Sequence, residues 1–414
     1  MIPLRILAGF LALAPLARGA DEFFDRLEDA LTFSAPDARV RARLSGTFEL
    51  ETYAVQVPAP GLLSTADGRL TAPRLNVFLD AQLGVGVYFF AQARGDHGFD
   101  PGDAGTPGRL DEYALRYTPW RDGRFNLQVG KFATVVGNWA GRHGAWANPF
   151  ITAPLPYEHL TGVWDSEPVR TSTVLLQWSH VRPGLPAAVT ALEKNLQLPI
   201  IWGPSYATGA AVSGDIGRLR YAGELKLGSL SSRPEAWQHA AQEWSHPTAS
   251  ARLTYRPNPT WSVGMSASTG PYLREFGARN FAPGQGRGAY EQTVVGADAT
   301  FGWHHLQVWS EIFGARFKIP NVGDADTLAY YTEVKYKFTP QFFGAVRWNQ
   351  QLFATIPHRG VDTRWGNNVW RVDLAPGYRF TPHTQVKLQY GLQHGDSGAR
   401  SYTRTLAAQL TVRF

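Results

Sequence analysis

The 414 residues include no cysteine. That absence removes disulfides, thiolate metal sites, cysteine nucleophiles and an N-terminal lipoprotein anchor together. Beyond the N-terminus there is no apolar run of about 18 residues, the length a helix needs to cross a bilayer. Clustered basic charge is missing as well. The formal net charge is +6, but Lys and Arg are scattered singly along the chain, which argues against a nucleic-acid surface.

The N-terminus carries Arg5, an apolar stretch from Ile6 to Leu13, and then the small residues Ala17, Gly19 and Ala20. This is the outline of a secretory signal peptide, too short to span a bilayer, with cleavage expected after Gly19. Residues 1–19 are therefore expected to form a leader, 20–40 a short N-terminal segment, and 41–414 the folded body. Within the second part, Phe23, Phe24, Leu27, Ala30 and Leu31 fall on one side of a helix over 21–31.

From there the chain alternates between apolar and polar residues. Leu44, Gly46, Phe48 and Leu50 face one way, and Arg43, Ser45, Thr47, Glu49 and Glu51 the other. The same period of two recurs at 75–83, 87–94, 111–117, 125–131, 206–212, 219–227, 249–255, 261–267, 293–301, 306–312, 328–338, 342–348, 370–380, 386–392 and 406–414. That makes about sixteen strands, an even number. Short connections, such as 84–86 and 302–305, alternate strictly with long ones: 57–73, 95–108, 133–205, 228–247, 270–289, 314–326, 350–367 and 394–402. Such parity fits an up-and-down barrel and has no reason to persist in a sandwich. Aromatics gather beside the short connections, with Tyr117, Tyr255, Phe301, Phe338 and Phe380 ahead of them and Trp120, Trp261, Trp303 and Phe342 in or after them. This is the placement of a girdle at headgroup depth. The mean hydropathy of −0.24 suits a barrel in which only alternate residues are apolar.

The last residues complete the argument. Leu406, Ala408, Leu410, Val412 and Phe414 share one face, with Thr405, Gln409, Thr411 and Arg413 on the other. This ending resembles the C-terminal strand of bacterial outer-membrane β-barrels, and the strand pattern extends the resemblance to the porins among them. The resemblance implies an all-β, transmembrane, antiparallel up-and-down β-barrel of about sixteen strands in the outer membrane of a Gram-negative bacterium. Both termini would be periplasmic, as would residues 20–40. Phe414 would be read by the barrel-assembly machinery, lipid and lipopolysaccharide would surround the wall, and a homotrimer is one assembly it allows. The implied function is a water-filled channel for small hydrophilic solutes, with no cofactor, no metal and no nucleic acid. Strands begin too early to leave room for the plug of a TonB-dependent transporter.

The phase of the strands assigns a lumen lining: Arg43, Asp80, Arg94, Glu112, Arg116, Arg220, Glu224, Arg252, Glu311, Arg347 and Arg371. A basic side chain facing lipid at mid-depth costs about 2–4 kcal/mol, so these faces must be wet. Their basic excess points to a mild anion preference, and the ions could equally pair across strands. The stretch 133–205 is too long for an ordinary connection. Its place after the fifth strand resembles the third loop of porins, which folds inward and narrows the channel. Trp139, Arg142, His143, Trp146 and Tyr157 are its candidate constriction residues. Residues 169–181 could instead add a strand. Other readings remain: a channel selective for a sugar or a phosphate-like anion, or a barrel enzyme or surface adhesin. Gly395-Asp396-Ser397-Gly398 is similar to the nucleophile turn of chymotrypsin-like serine proteases, but it stands alone between two strands, where these residues are ordinary turn formers.

Overall fold

The computed structural model describes residues 14–36, 39–96, 108–179, 194, 196–237, 244–274, 281, 283–397 and 400–414. Residues 1–13 of the expected leader and Gly398 of the loop motif lie outside this set. The first half of the sheet comprises β1 (Val40–Val55), β2 (Arg69–Leu83), β3 (Val87–Asp96), β4 (Gly108–Tyr117), β5 (Asn126–Phe132), β6 (Ala207–Ile216), β7 (Leu219–Lys226) and β8 (Thr248–Tyr255). The second half comprises β9 (Trp261–Pro271), β10 (Glu291–Trp303), β11 (Leu306–Ile319), β12 (Gly323–Lys337), β13 (Phe342–Phe353), β14 (Val369–Arg379), β15 (Thr384–Ser397) and β16 (Arg400–Arg413). Each pairs antiparallel with its neighbours in chain order, and β16 returns to β1 from Thr405↔Val55 to Arg413↔Thr47. Closure leaves no unpaired edge.

The alternation decides which face meets which medium. On β12, Leu328, Val334 and Tyr336 stand exposed on the outside, while Tyr331, Glu333 and Lys335 are buried inside. Phe48, Leu115, Val129, Leu253, Met265 and Val346 continue the exposed apolar belt on other strands. A belt of this extent is at home in hydrocarbon and would be a gross aggregation liability in water. No described helix is long and apolar enough to cross a membrane; the strands of a transmembrane barrel serve instead.

Connections sort to two ends, as the sequence suggests. Residues 217–218 and 304–305 are tight turns at one end, the turn end, with Gly217 at φ 60°. The long segment 133–206 belongs to the other, the loop end. Four sequence expectations are corrected there. Residues 394–402 are not a long loop, because β15 runs to Ser397 and β16 begins at Arg400. Residues 314–326 are not a loop: β11 and β12 continue through them and close at 320–322. Above the apolar belt the alternation inverts. Phe317, Ile319 and Ala325 turn inward onto a buried core, while Arg316 points out and pairs with Asp324 and Asp326 at 2.9 and 2.7 Å. Within 350–367, β13 runs on to Phe353 and a small hairpin follows, Thr355–His358 with Val361–Arg364, whose Ile356 joins the same core as Trp365 beyond it. Finally, the expected strand over 169–181 is not formed among the described residues, because Ser172–Ser179 is helical; residues 180 and 181 lie outside that set.

The N-terminal helix α1 (Ala14–Ala30) starts earlier than its apolar face suggested. It rests at the turn end, where Asp25 meets the ring of His383 at 3.0 Å and Glu28 pairs with Arg43 at 3.2 Å. At the seam, the amide of Gly46 donates to the carbonyl of Phe414 at 2.8 Å, and the Phe414 amide donates back at 3.0 Å. The Phe414 ring lies directly over Gly46, where any Cβ would collide with it. Replacing Gly46 with Val should therefore expel the ring and cost about 1–3 kcal/mol of overpacking. A lower temperature for the folded-to-unfolded gel shift would register it; an unchanged temperature would mean that the ring contributes nothing to the seam.

Candidate functional site: the barrel lumen and its inserted segment

The inward face is charged, and the charges are arranged in networks. On β1–β4, Arg74 reaches Glu49 at 3.1 Å, Glu51 at 3.4 Å and Asp96 at 3.2 Å. Arg94 contacts Asp96 and Asp111, and Arg109 contacts Asp111 at 2.6 Å and Asp96 at 3.8 Å. A bulge opposite Gln92 and Ala93 turns both Asp111 and Glu112 toward the interior. On the far side, Arg347 bridges Glu333 at 3.2 Å and Asp373 at 2.9 Å, and Arg371 shares Asp373 at 3.0 Å. Buried charges on this scale persist only when each finds partners.

Many of those partners come from the segment 133–206. Its first residues settle on β7, where Glu224 accepts from the Thr134 hydroxyl at 2.7 Å and the Val135 amide at 3.2 Å. Glu311 on β11 then takes the amides of Asn138 and Trp139 and the Tyr157 hydroxyl at 2.6 Å. The ammonium of Lys387 donates to the carbonyls of Ala145 at 2.8 Å and Asn148 at 2.9 Å. Gln389 holds the amides of Ile151 and Thr152, and Arg347 donates to Thr152 at 2.9 Å. A short helix, α2 (Leu155–Glu158), presents Glu158 to Arg371. The segment is thus fastened along the inner wall from β7 to β15. At the loop end, the returning chain packs Val163, Val169, Trp202 and Leu175 of α3 (Ser172–Ser179) against Phe317, Phe353 and Trp365. Asp165 adds a polar clasp, accepting both Arg233 at 2.9 Å and Arg274 at 2.6 Å.

At the tip of this segment a single turn, Ala140–Arg142, contains Gly141 and is followed by Gly144; both glycines are exposed, and a side chain at either would meet open space. Arg142 lies 4.6 Å from the Trp309 ring and pairs with Glu333 at 2.6 Å. The His143 ring meets the Tyr206 hydroxyl at 2.9 Å, and the charges of Arg94, Asp111 and Glu49 act on it from the β1–β4 wall. Beside the tip, a cavity of about 760 Å³ opens toward the turn end, lined by Arg142, Arg220, Arg252, Asp298 and Trp309.

All eleven lining residues assigned from sequence have inward phase, but they do different things. Arg43 sits opposite Asp80 in register and engages α1; Asp80 accepts from Tyr88. Arg94 belongs to the β1–β4 network. Arg116 donates to Gln128 at 2.8 Å and lies near the Tyr88 and Phe90 rings. Arg220 is half exposed and pairs with Asp215 at 2.7 Å, and Arg252 pairs with Asp298 at 2.7 Å. Glu112 accepts the Ala133 amide at 2.7 Å. Glu224, Glu311, Arg347 and Arg371, by contrast, are sealed beneath the inserted segment and hold it. Of the five segment residues, Arg142 and His143 are at the tip, Trp139 and Tyr157 are buried in its packing, and Trp146 lies beside Arg379 and Arg413. Arg74, Asp96 and Arg109 escaped sequence reading, since they lie where the apolar partner face thins out and the strand ends become ambiguous.

No protein-family model matches the chain, and no curated protein does so either. Solved structures do match in fold. Salmonella typhi OmpF in complex with daunomycin aligns over 92% of this chain and 100% of its own, with a TM-score of 0.58 at 10% identity. The outer membrane channel DcaP of Acinetobacter baumannii aligns over 92% and 99%, with a TM-score of 0.57 at 10% identity. An anion-selective porin from Comamonas acidovorans aligns over 91% and 100%, with a TM-score of 0.55 at 9% identity.

Glu311 is the acceptor on which the start of the segment turns. Glu311→Ala leaves two buried amides and a buried hydroxyl without it, a loss of about 1–3 kcal/mol for each group left unsatisfied. Limited proteolysis should then cut within 137–150 while the barrel stays intact, and Glu311→Gln should protect partially. Equal resistance in Glu311→Ala and the parent would show that the segment is held elsewhere.

Proposed function

From the porin fold, we propose that this chain is an outer-membrane channel through which small hydrophilic solutes diffuse passively, with anions preferred. One observation carries the reading: a closed barrel with a polar interior holds a segment along half of its wall, with open space over Gly141 and Gly144 on either side of the anchored Arg142 and His143. Such a tip, facing Arg94 and its partners across the lumen, is where the path would be narrowest. Charged groups at a constriction focus the field on passing ions and disfavour apolar solutes. The daunomycin complex of one structural neighbour and the anion selectivity of another are properties of those proteins, and they support a lumen of this architecture admitting solutes.

The remaining parts fit the same reading. Residues 1–19 would direct export and be removed, α1 would then begin near residue 20 at the periplasmic mouth, and the turn end would face the periplasm. Phe414 would serve the assembly machinery before it completes the seam.

Single-channel recording in planar bilayers tests the proposal. Discrete conductance steps are expected, with a reversal potential under a salt gradient that favours chloride over potassium. Arg142→Ala with His143→Ala should raise the unit conductance by widening the gap. Gly144→Trp, which projects bulk into open space, should lower it. Correctly folded protein that never conducts would remove the channel reading; steps indifferent to all three substitutions would remove the tip from the constriction.

A further inference from the structure

The lumen is not evenly balanced along its axis. Each of the five arginines in the two wall networks, Arg74, Arg94, Arg109, Arg347 and Arg371, touches at least two carboxylates. Nearer the turn end, the inward positions of β12 and β14–β16 carry Lys335, Lys337, Arg379, Lys387 and Arg413. Among the described residues, none of these five has a carboxylate within ion-pairing distance. Lys335 faces the charges of Arg379, Lys337 and Arg142, and Arg379 that of Arg413, while Lys387 also feels Glu51 and Glu49.

Two members are held in a fixed arrangement. Arg379 lies 4.9 Å and Arg413 4.3 Å from the centre of the same ring, that of Trp146 on the inserted segment. Arg379 uses its Nε on Gln385 at 2.9 Å, and Arg413 uses its Nε on the Pro382 carbonyl at 2.7 Å. Arg413 thereby keeps both terminal nitrogens for another acceptor, and Arg379 spends one of its own only on a 3.4 Å contact with the Trp146 carbonyl. Lys387 is consumed by segment carbonyls and Lys335 lies against the Phe343 ring, so they add field rather than contacts. Of the acids of α1 at this end, Asp25 meets His383 and Glu28 pairs with Arg43, and among the described residues none of the α1 acids forms an ion pair with these five cations.

Like charges gathered without counter-charge in a partly desolvated wall raise the energy of the empty site. A multivalent oxyanion relieves that repulsion and matches the forked geometry of guanidinium groups. We infer that Arg379 and Arg413, backed by the Trp146 ring, form a binding site for a small multivalent oxyanion, such as inorganic phosphate or a dicarboxylate, at the turn end of the channel. This inference rests on the channel reading for the solute's route, but not for its binding. It adds a site for multivalent anions at one mouth to the field at the tip, so current–voltage curves in multivalent anions should be asymmetric.

Isothermal titration of the detergent-solubilised full chain with phosphate, and separately with succinate, tests the site without requiring conduction. Arg379→Gln with Arg413→Gln should bind about tenfold or more weakly than the parent, the loss of one charge-assisted contact being worth that much. Arg316→Gln, on the outer face at the loop end, should leave binding unchanged. If the double variant does not fold by the heat-shift gel, Arg379→Gln alone and Arg413→Gln alone are read in the same way. Equal binding by parent and variants, or no binding by a folded parent, overturns the site. Binding by one anion alone narrows the ligand class and upholds it. In bilayers, parent channels that conduct but show no asymmetric block by phosphate would also overturn the site while leaving the channel intact; absence of any conductance would fall on the channel reading alone.

Discussion

Buried carboxylates of the barrel wall, above all Glu224, Glu311, Glu333 and Asp373, hold the interior together by accepting hydrogen bonds from one inserted segment and from arginines beside it. Neither partner is stable alone. Removing an ion from water costs several kcal/mol unless its lone pairs and protons are met inside, and a chain that leaves regular structure for some seventy residues carries dozens of amides needing acceptors. The wall supplies acceptors at fixed heights because its strands are locked in register. The segment supplies donors wherever it follows the wall. The result is a polar interior organised as a template, with the segment as its complement.

Division of labour along the barrel follows from the same physics. At the loop end the inserted chain brings Trp202, Val163 and Leu175 to the wall, and the inward residues of β11–β13 become apolar to receive them. Deeper in, where backbone amides and glycines dominate the segment, the wall answers with carboxylates and guanidinium groups. Near the turn end the segment offers the Trp146 ring and a few carbonyls, and the wall there answers with cations. The sequence of environments down the lumen records what the segment offers at each depth.

Much of this was legible from the alternation alone: the strand number, the two kinds of connection, the outward face of Leu328 or Val346, and the inward phase of Arg94 or Arg347. Period-two patterning reports phase, and phase is fixed by the medium on each side. It does not report what lies over a residue. Arg347 and Arg220 look alike in sequence, yet one is sealed under Thr152 while the other is half exposed. The same limit explains the loop expected at 314–326. There the alternation is intact but reversed, because a protein core has replaced water on the inside and water has replaced lipid on the outside. Alternation admits only one of Asp111 and Glu112 to the inward face, whereas the bulge puts both there and carries Arg109 with them. Trp146 could be found as an aromatic in a long segment, but its two arginine neighbours come from strands more than two hundred residues away.

The seam between β1 and β16 has a consequence for how the molecule comes into being. Its pairing joins residues near 50 to residues near 410, the greatest sequence separation of any strand pair here, so it bears the largest loop-closure entropy and should form last. Until then β1 presents a bare edge, open to strand addition by any extended chain. Gly46, with its backbone stripped of side chain, is a notch on that edge shaped for an aromatic ring. A chaperone that docks a strand or a ring there would both hide the edge and hold the register until the final strand displaces it. One residue without a side chain thus seats both the backbone of the closing strand and its terminal ring.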